Sequence, residues 1–132
     1  RLTENPDLIR RGGYILQDMR GLPKNRTALS QDRQLFPGIR LLWLPGHTPG
    51  LLGMEITVGE KVLLFPSDAV YTAANYGPPP VSPRSPYDRS LLLQSMERIR
   101  HLAARPGAQV IFSHDIDLWR QLPHAPIPLS AG

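Results

Sequence analysis

Cysteine is absent from this 132-residue chain, which excludes both a disulfide framework and any thiolate-held metal. The same absence points to a cytoplasmic setting. No apolar run approaches the length needed for a transmembrane helix, and no basic segment leading into an apolar stretch marks a signal peptide. The chain opens on Arg1 rather than Met, so the expectation is that a natural amino terminus lies upstream. Glycine-rich phosphate loops and the Gly-x-Ser-x-Gly elbow are missing, leaving nucleotide binding and serine-hydrolase chemistry without support. Lysine is scarce as well. Of the fifteen basic residues thirteen are Arg, and the net charge of +4 is spread along the chain with no basic stripe or interleaved aromatics. That pattern describes a solvated surface and not a nucleic-acid interface.

What is present is ordinary for a globular domain: 41% hydrophobic and 20% charged residues, enough for one modest core over residues 1–132. Gly77 to Pro86 holds five prolines and must be a loop, since proline lacks an amide donor and restricts its predecessor. The Pro-rich tail from Pro123 is expected to lie loosely on the surface. Asn5 to about Met19 reads as a helical stretch interrupted by Gly12-Gly13.

Ile39–Leu44, entered through Pro37-Gly38, reads as a strand, as does Leu51–Val58. Gly59-Glu60-Lys61 should turn the second of these into Val62–Phe65, giving an antiparallel hairpin. Asp88 can cap a helix running to about Ala104, with Leu92, Met96 or Ser95, Ile99 and Leu102 or Ala103 at helical spacing and Pro106-Gly107 as its stop. Val110-Ile111-Phe112 then reads as a buried strand. Together these elements describe an α/β layer.

Three short stretches follow the apolar runs: Gly46-His47-Thr48-Pro49-Gly50, Ser67-Asp68-Ala69-Val70-Tyr71 and Ser113-His114-Asp115. Each places a metal-capable or acid/base side chain at a strand's end. Glycine and proline around His47 pre-shape a tight loop, and a neutral imidazole is a good ligand for zinc. A carboxylate at Asp68 can bridge two cations about 3.5–4 Å apart. Taken singly, each residue also has a plain reading: a turn histidine, a turn aspartate, a core tyrosine. His101, in the helix, and His124, in the tail, read as surface residues.

The wording and order of the three stretches resemble the second half of a metallo-β-lactamase-superfamily hydrolase, most closely the N-acyl-homoserine lactonase group. Gly-His-Thr-Pro-Gly and Asp-Ala-x-Tyr carry that resemblance. It implies an αββα sandwich of which this chain supplies the carboxy-terminal half, a mixed sheet with flanking helices. It implies His47, Asp68 and His114 as ligands of a dinuclear zinc centre, with other divalent metals as alternatives. Thr48 and Asp115 would be supporting residues, Asp115 by holding its loop or orienting a ligand. Asp68 and Tyr71 would be the catalytic side chains, with Tyr71 reaching the carbonyl or leaving oxygen of a lactone.

The superfamily's earlier His-x-His-x-Asp-His motif has no counterpart here, because the histidines stand alone at 47, 101, 114 and 124. The expectation is therefore a piece of a longer enzyme, inactive alone, whose missing amino-terminal half supplies that motif and covers an apolar sheet face left bare. The implied activity is metal-dependent ring opening of N-acyl-homoserine lactones, that is, quorum quenching. A glyoxalase-II-like thioesterase is the alternative enzyme, disfavoured because only seventeen residues follow Asp115. A catalytically inert half-domain serving as an interaction module is the alternative of another class. Expected partners are a small lactone or ester, the missing half and a second copy of the chain; membranes and nucleic acid are not among them.

Overall fold

The computed structural model describes residues 25–83 and 87–122. Its centre is a five-stranded mixed sheet with strand order following the chain. β1 (Arg33–Phe36), β2 (Ile39–Trp43), β3 (Leu52–Val58) and β4 (Lys61–Phe65) form an antiparallel meander, and β5 (Ala108–Val110) joins β4 in parallel. Among the described residues three helices accompany it: α1 (Ala73–Tyr76), α2 (Arg89–Ala103) and α3 (Ile116–Gln121). A single 3-10 turn, Ser67–Ala69, separates β4 from α1.

The parallel β5 dictates the rest of the topology. A parallel neighbour needs a crossover, and α2 is that crossover. Asp88 caps α2 by accepting from Leu91 N–H (2.9 Å), and Gly107, at φ +72°, lets the chain turn back into the sheet. The face Leu92, Met96 and Ile99 is fully buried against Leu42, Leu44 and Leu64, with Ala69 and Val70 completing the core. Each such side chain contributes about 1.5–3 kcal/mol through burial.

The hairpin and the capped helix match the sequence expectations to within a residue or so. The final strand does not. It covers Ala108–Val110 instead of Val110–Phe112, because Gly107 already delivers the chain to the edge of β4, pairing Ala108 with Val62. Ile111 extends the ladder by one bond to Leu64 O (2.8 Å), after which the chain leaves the sheet. β1, α1 and α3 have no counterpart among the sequence expectations; β1 is four exposed residues, and the two helices are only four and six residues long. The Gly77–Pro86 loop is confirmed as irregular chain over 77–83. The helix expected at Asn5–Met19 and the tail from Pro123 lie outside the described residues.

On the α2 side, carboxylates and guanidinium groups knit the layers. Glu55, only 8% exposed, accepts from Arg40 (3.0 Å) and from Arg105 after α2. Asp32 accepts from Trp43 N–H (3.0 Å) and from Arg98 of α2, whose other arm reaches Trp43 O (3.0 Å). Burial raises both carboxyls, but these donors and the positive charge beside them hold Asp32 and Glu55 below their ordinary values. The opposite face of the sheet is apolar. Leu41, Met54, Phe65, Ile111, Phe112 and Trp119 line an open groove of about 410 Å3 there, and Trp119 is 59% exposed. Among the described residues no helix is long and apolar enough to cross a membrane.

Candidate metal centre

The strand ends β2, β4 and β5 bring the three stretches to one edge of the sheet, and each arrives by a different local device. The first is the loop 45–50, closing the β2–β3 hairpin. Leu44 N–H bonds to Leu51 O (3.0 Å), and the Thr48 carbonyl accepts from Gly46 N–H (3.1 Å) and Leu51 N–H (3.4 Å). Gly46 lies at φ +133°, a conformation essentially reserved for glycine, and sits hard against the first turns of α2. From α2 the loop is held by Asp88 N–H to Gly46 O (2.9 Å) and by the buried Ser95 hydroxyl to Pro45 O (2.7 Å). His47 thus hangs from a loop fixed at both ends.

The second device is the turn after β4. Pro66, Ala69 and Val70 are buried, so Asp68 between them is thrown outward, with its side chain 38% exposed. Ser67 takes φ +51°, a strained setting for a residue with a Cβ that costs of order 1–3 kcal/mol. The third device is the exit from β5, where His114 N–H donates to Tyr71 O (3.1 Å) and ties two site segments together.

These devices make the four side chains meet. Asp68 presents one oxygen to each imidazole: Oδ1 lies 3.1 Å from His114 Nε2, and Oδ2 lies 3.6 Å from His47 Nε2. Tyr71 packs against both rings in near-perpendicular, T-shaped contacts, with centroids 5.8 Å from His47 and 4.9 Å from His114. Its hydroxyl is 3.1 Å from His47 Nδ1. Burial and then the negative charge of Asp68 raise the Tyr71 phenol above its ordinary value, so it stays protonated and able to donate.

A pair of imidazoles on opposite oxygens of one carboxylate is a nitrogen-and-oxygen donor set of the kind borderline divalent cations accept. It is also incomplete. Among the described residues no three His, Cys, Asp or Glu side chains converge as a self-sufficient metal group. The residues fit a metal pair provided further donors join them.

The supporting residues separate. Thr48 shapes the loop through its backbone carbonyl. Asp115 turns away from both imidazoles and accepts backbone N–H groups from Ala73 (2.9 Å) and Leu118 (3.0 Å). Those donors hold its carboxyl below the ordinary value. Ser95, which holds the His47 loop through Pro45 O, is a site support that the sequence motifs do not name. The available signal was a Ser at a core-facing position of an otherwise apolar helix stripe. His101 is exposed on α2, as expected.

Residues 5–114 match the model of the metallo-beta-lactamase superfamily. The chain belongs to that superfamily. Similar curated proteins include the N-acyl homoserine lactonase AiiB of Agrobacterium fabrum, 32% identical over 117 residues, covering 83% of this chain and 42% of the relative. The N-acyl homoserine lactonase of Bacillus cereus is 32% identical over 124 residues, covering 87% of this chain and 49% of the relative. This superfamily member therefore spans less than half the length of those relatives. Among solved structures, an N-acyl homoserine lactone hydrolase with N-hexanoyl-L-homoserine bound at its catalytic metal centre superposes with TM-score 0.74 at 26% identity, covering 86% of this chain and 45% of that one. The dizinc quorum-quenching lactonase AidC shares the fold at TM-score 0.56 and 19% identity, over 86% of this chain and 40% of its own.

Proposed function

We propose that this superfamily member carries part of the active site of a divalent-metal-dependent hydrolase that opens the lactone ring of N-acyl homoserine lactones. The observation that carries the reading is the division of Asp68 between two imidazoles with a protonated tyrosine packed against both. His47 and Asp68 would help to hold one cation and His114 and Asp68 the other, zinc being the proposed metal. A His-x-His-x-Asp-His motif, which none of these 132 residues forms, would have to complete both. When bound, such ions supply Lewis acidity toward an ester carbonyl and lower the pKa of water.

The remaining chemistry belongs to the chain. For His47 Nε2 to serve a cation, the ring proton must reside on Nδ1. Nδ1–H then donates to the Tyr71 oxygen, and the phenolic hydrogen is left free to point at substrate. Tyr71 thereby stabilises the negative charge that grows on a lactone oxygen, a contribution of about 3–4 kcal/mol for a well-placed donor. Similarity to proteins named as lactonases supports the substrate class.

The test is lactone hydrolysis by the full-length protein, before and after chelation, with zinc restored afterwards. Turnover that disappears on chelation and returns with zinc is expected. Turnover indifferent to chelator, or none on any lactone, counts against the reading. The groove on the far face favours a second reading, an inert interaction module, and that reading expects no bound metal and no effect of Asp68→Ala.

A further inference from the structure

The two segments that carry Tyr71 and His114 run side by side beyond the edge of the sheet, where strand pairing no longer holds them. What joins them there is a two-rung clasp. One rung is His114 N–H to Tyr71 O (3.1 Å), and the other is Ala73 N–H to Asp115 Oδ2 (2.9 Å). The second oxygen of Asp115 caps α3 through Leu118 N–H (3.0 Å). One carboxylate therefore fixes the start of α1 against the start of α3, with His114 one residue before Asp115 and Tyr71 two residues before Ala73. Thr72, between Tyr71 and Ala73, is pinned in turn by Asn75, whose side-chain oxygen accepts Thr72 N–H (2.7 Å). The path from Asp115 to the Tyr71 backbone is short and fully bonded.

We infer that Asp115 is a positioning residue that acts through Tyr71, holding the phenol against the two imidazoles by clasping Ala73. The inference rests on the hydrolase reading and deepens it by separating the tyrosine's placement from the metal ligands. The Asp115 carboxylate bonds to Ala73 N–H and Leu118 N–H, backbone groups outside the Asp68–imidazole contacts. Its effect is geometric: a displacement of about 1 Å at the phenol can cost on the order of 100-fold in rate.

Asp115→Ser isolates this role. Serine is a good helix cap and keeps the bond to Leu118, but its hydroxyl is too short to span to Ala73 as well. In the full-length protein, Asp115→Ser is expected to lower kcat about tenfold or more while KM and metal content stay within about twofold. In the Tyr71→Phe background the same substitution should change kcat less than about twofold, because the group it positions is gone. Amide exchange supplies a readout independent of activity: Ala73 should lose protection in Asp115→Ser and Leu118 should keep it. An equal loss of kcat in both backgrounds, or unchanged protection at Ala73, overturns the clasp and leaves the hydrolase reading standing. Should Tyr71→Phe leave turnover unchanged in the parent protein, the catalytic reading of Tyr71 fails, and the clasp with it.

Discussion

Substituting Gly46 by alanine should be among the most damaging single-methyl changes in the described chain. A Cβ there would lie 2.1 Å from Leu92 N, 2.3 Å from Leu92 Cα and 2.6 Å from Leu92 Cβ. The first two are backbone atoms of α2 that cannot swing aside. Either α2 moves, disturbing the buried Leu92, Met96 and Ile99, or the loop lifts away from it. Lifting is the cheaper route, yet it breaks the bonds from Asp88 N–H to Gly46 O and from Ser95 Oγ–H to Pro45 O. At about 1 kcal/mol for each bond, plus roughly 1–3 kcal/mol for a side chain at positive φ, the loss comes to about 3–5 kcal/mol. For a domain of this size that lowers Tm by roughly 10 °C or more. Because His47 is the next residue, metal content should fall in parallel. Gly50→Ala, in the same loop, is the control: no atom lies within 4 Å of its Cβ. It should be neutral or slightly stabilising, since alanine restricts the unfolded chain. Thermal unfolding of the three proteins in one buffer decides the matter. A Gly46→Ala protein melting within about 1 °C of the parent would refute the reasoning.

Two further outcomes are expected. Asp68→Asn removes the charge that serves both imidazoles and should lower bound metal per complete unit by at least half, measured by elemental analysis, whereas His101→Asn on exposed α2 should leave it unchanged. Glu55 and Asp32 have native carboxyls held below their unfolded values, so their stabilisation is present above about pH 4 and is lost as the pH falls through the lower native values. Glu55→Gln should flatten that acid-side decline in urea unfolding experiments and cost about 1–3 kcal/mol at neutral pH, because Arg40 and Arg105 lose their shared partner. An unchanged acid slope would mean that the pair contributes nothing to stability.

The parts of the fold that were legible in the sequence are those specified locally. The β3–β4 hairpin follows from two apolar runs around Gly59-Glu60, and α2 follows from a capping Asp88, an apolar stripe and a Pro-Gly stop. β1 was invisible for the opposite reason. Its four residues are exposed, and it exists because β2 offers an edge to pair with. The short α1 and α3 do carry local caps, Thr72 accepting from Asn75 N–H and Asp115 from Leu118 N–H, but four and six residues are too few to show a helical period.

The sequence by itself determined which side chains bear the chemistry. Gly46-His47-Thr48-Pro49-Gly50 and Asp68-Ala69-Val70-Tyr71 are local wordings, and they name residue types suited to a divalent metal without any contact being known. Only the tertiary structure decided their arrangement. His47, Asp68 and His114 are far apart in the chain, and they meet because the crossover through α2 lays β5 beside β4 and sets three strand ends on one edge. Only there does Asp68 divide its oxygens between two imidazoles, and only there does Asp115, a local cap for Leu118, also reach across to Ala73. Such pairings arise from long-range packing, which no local pattern encodes.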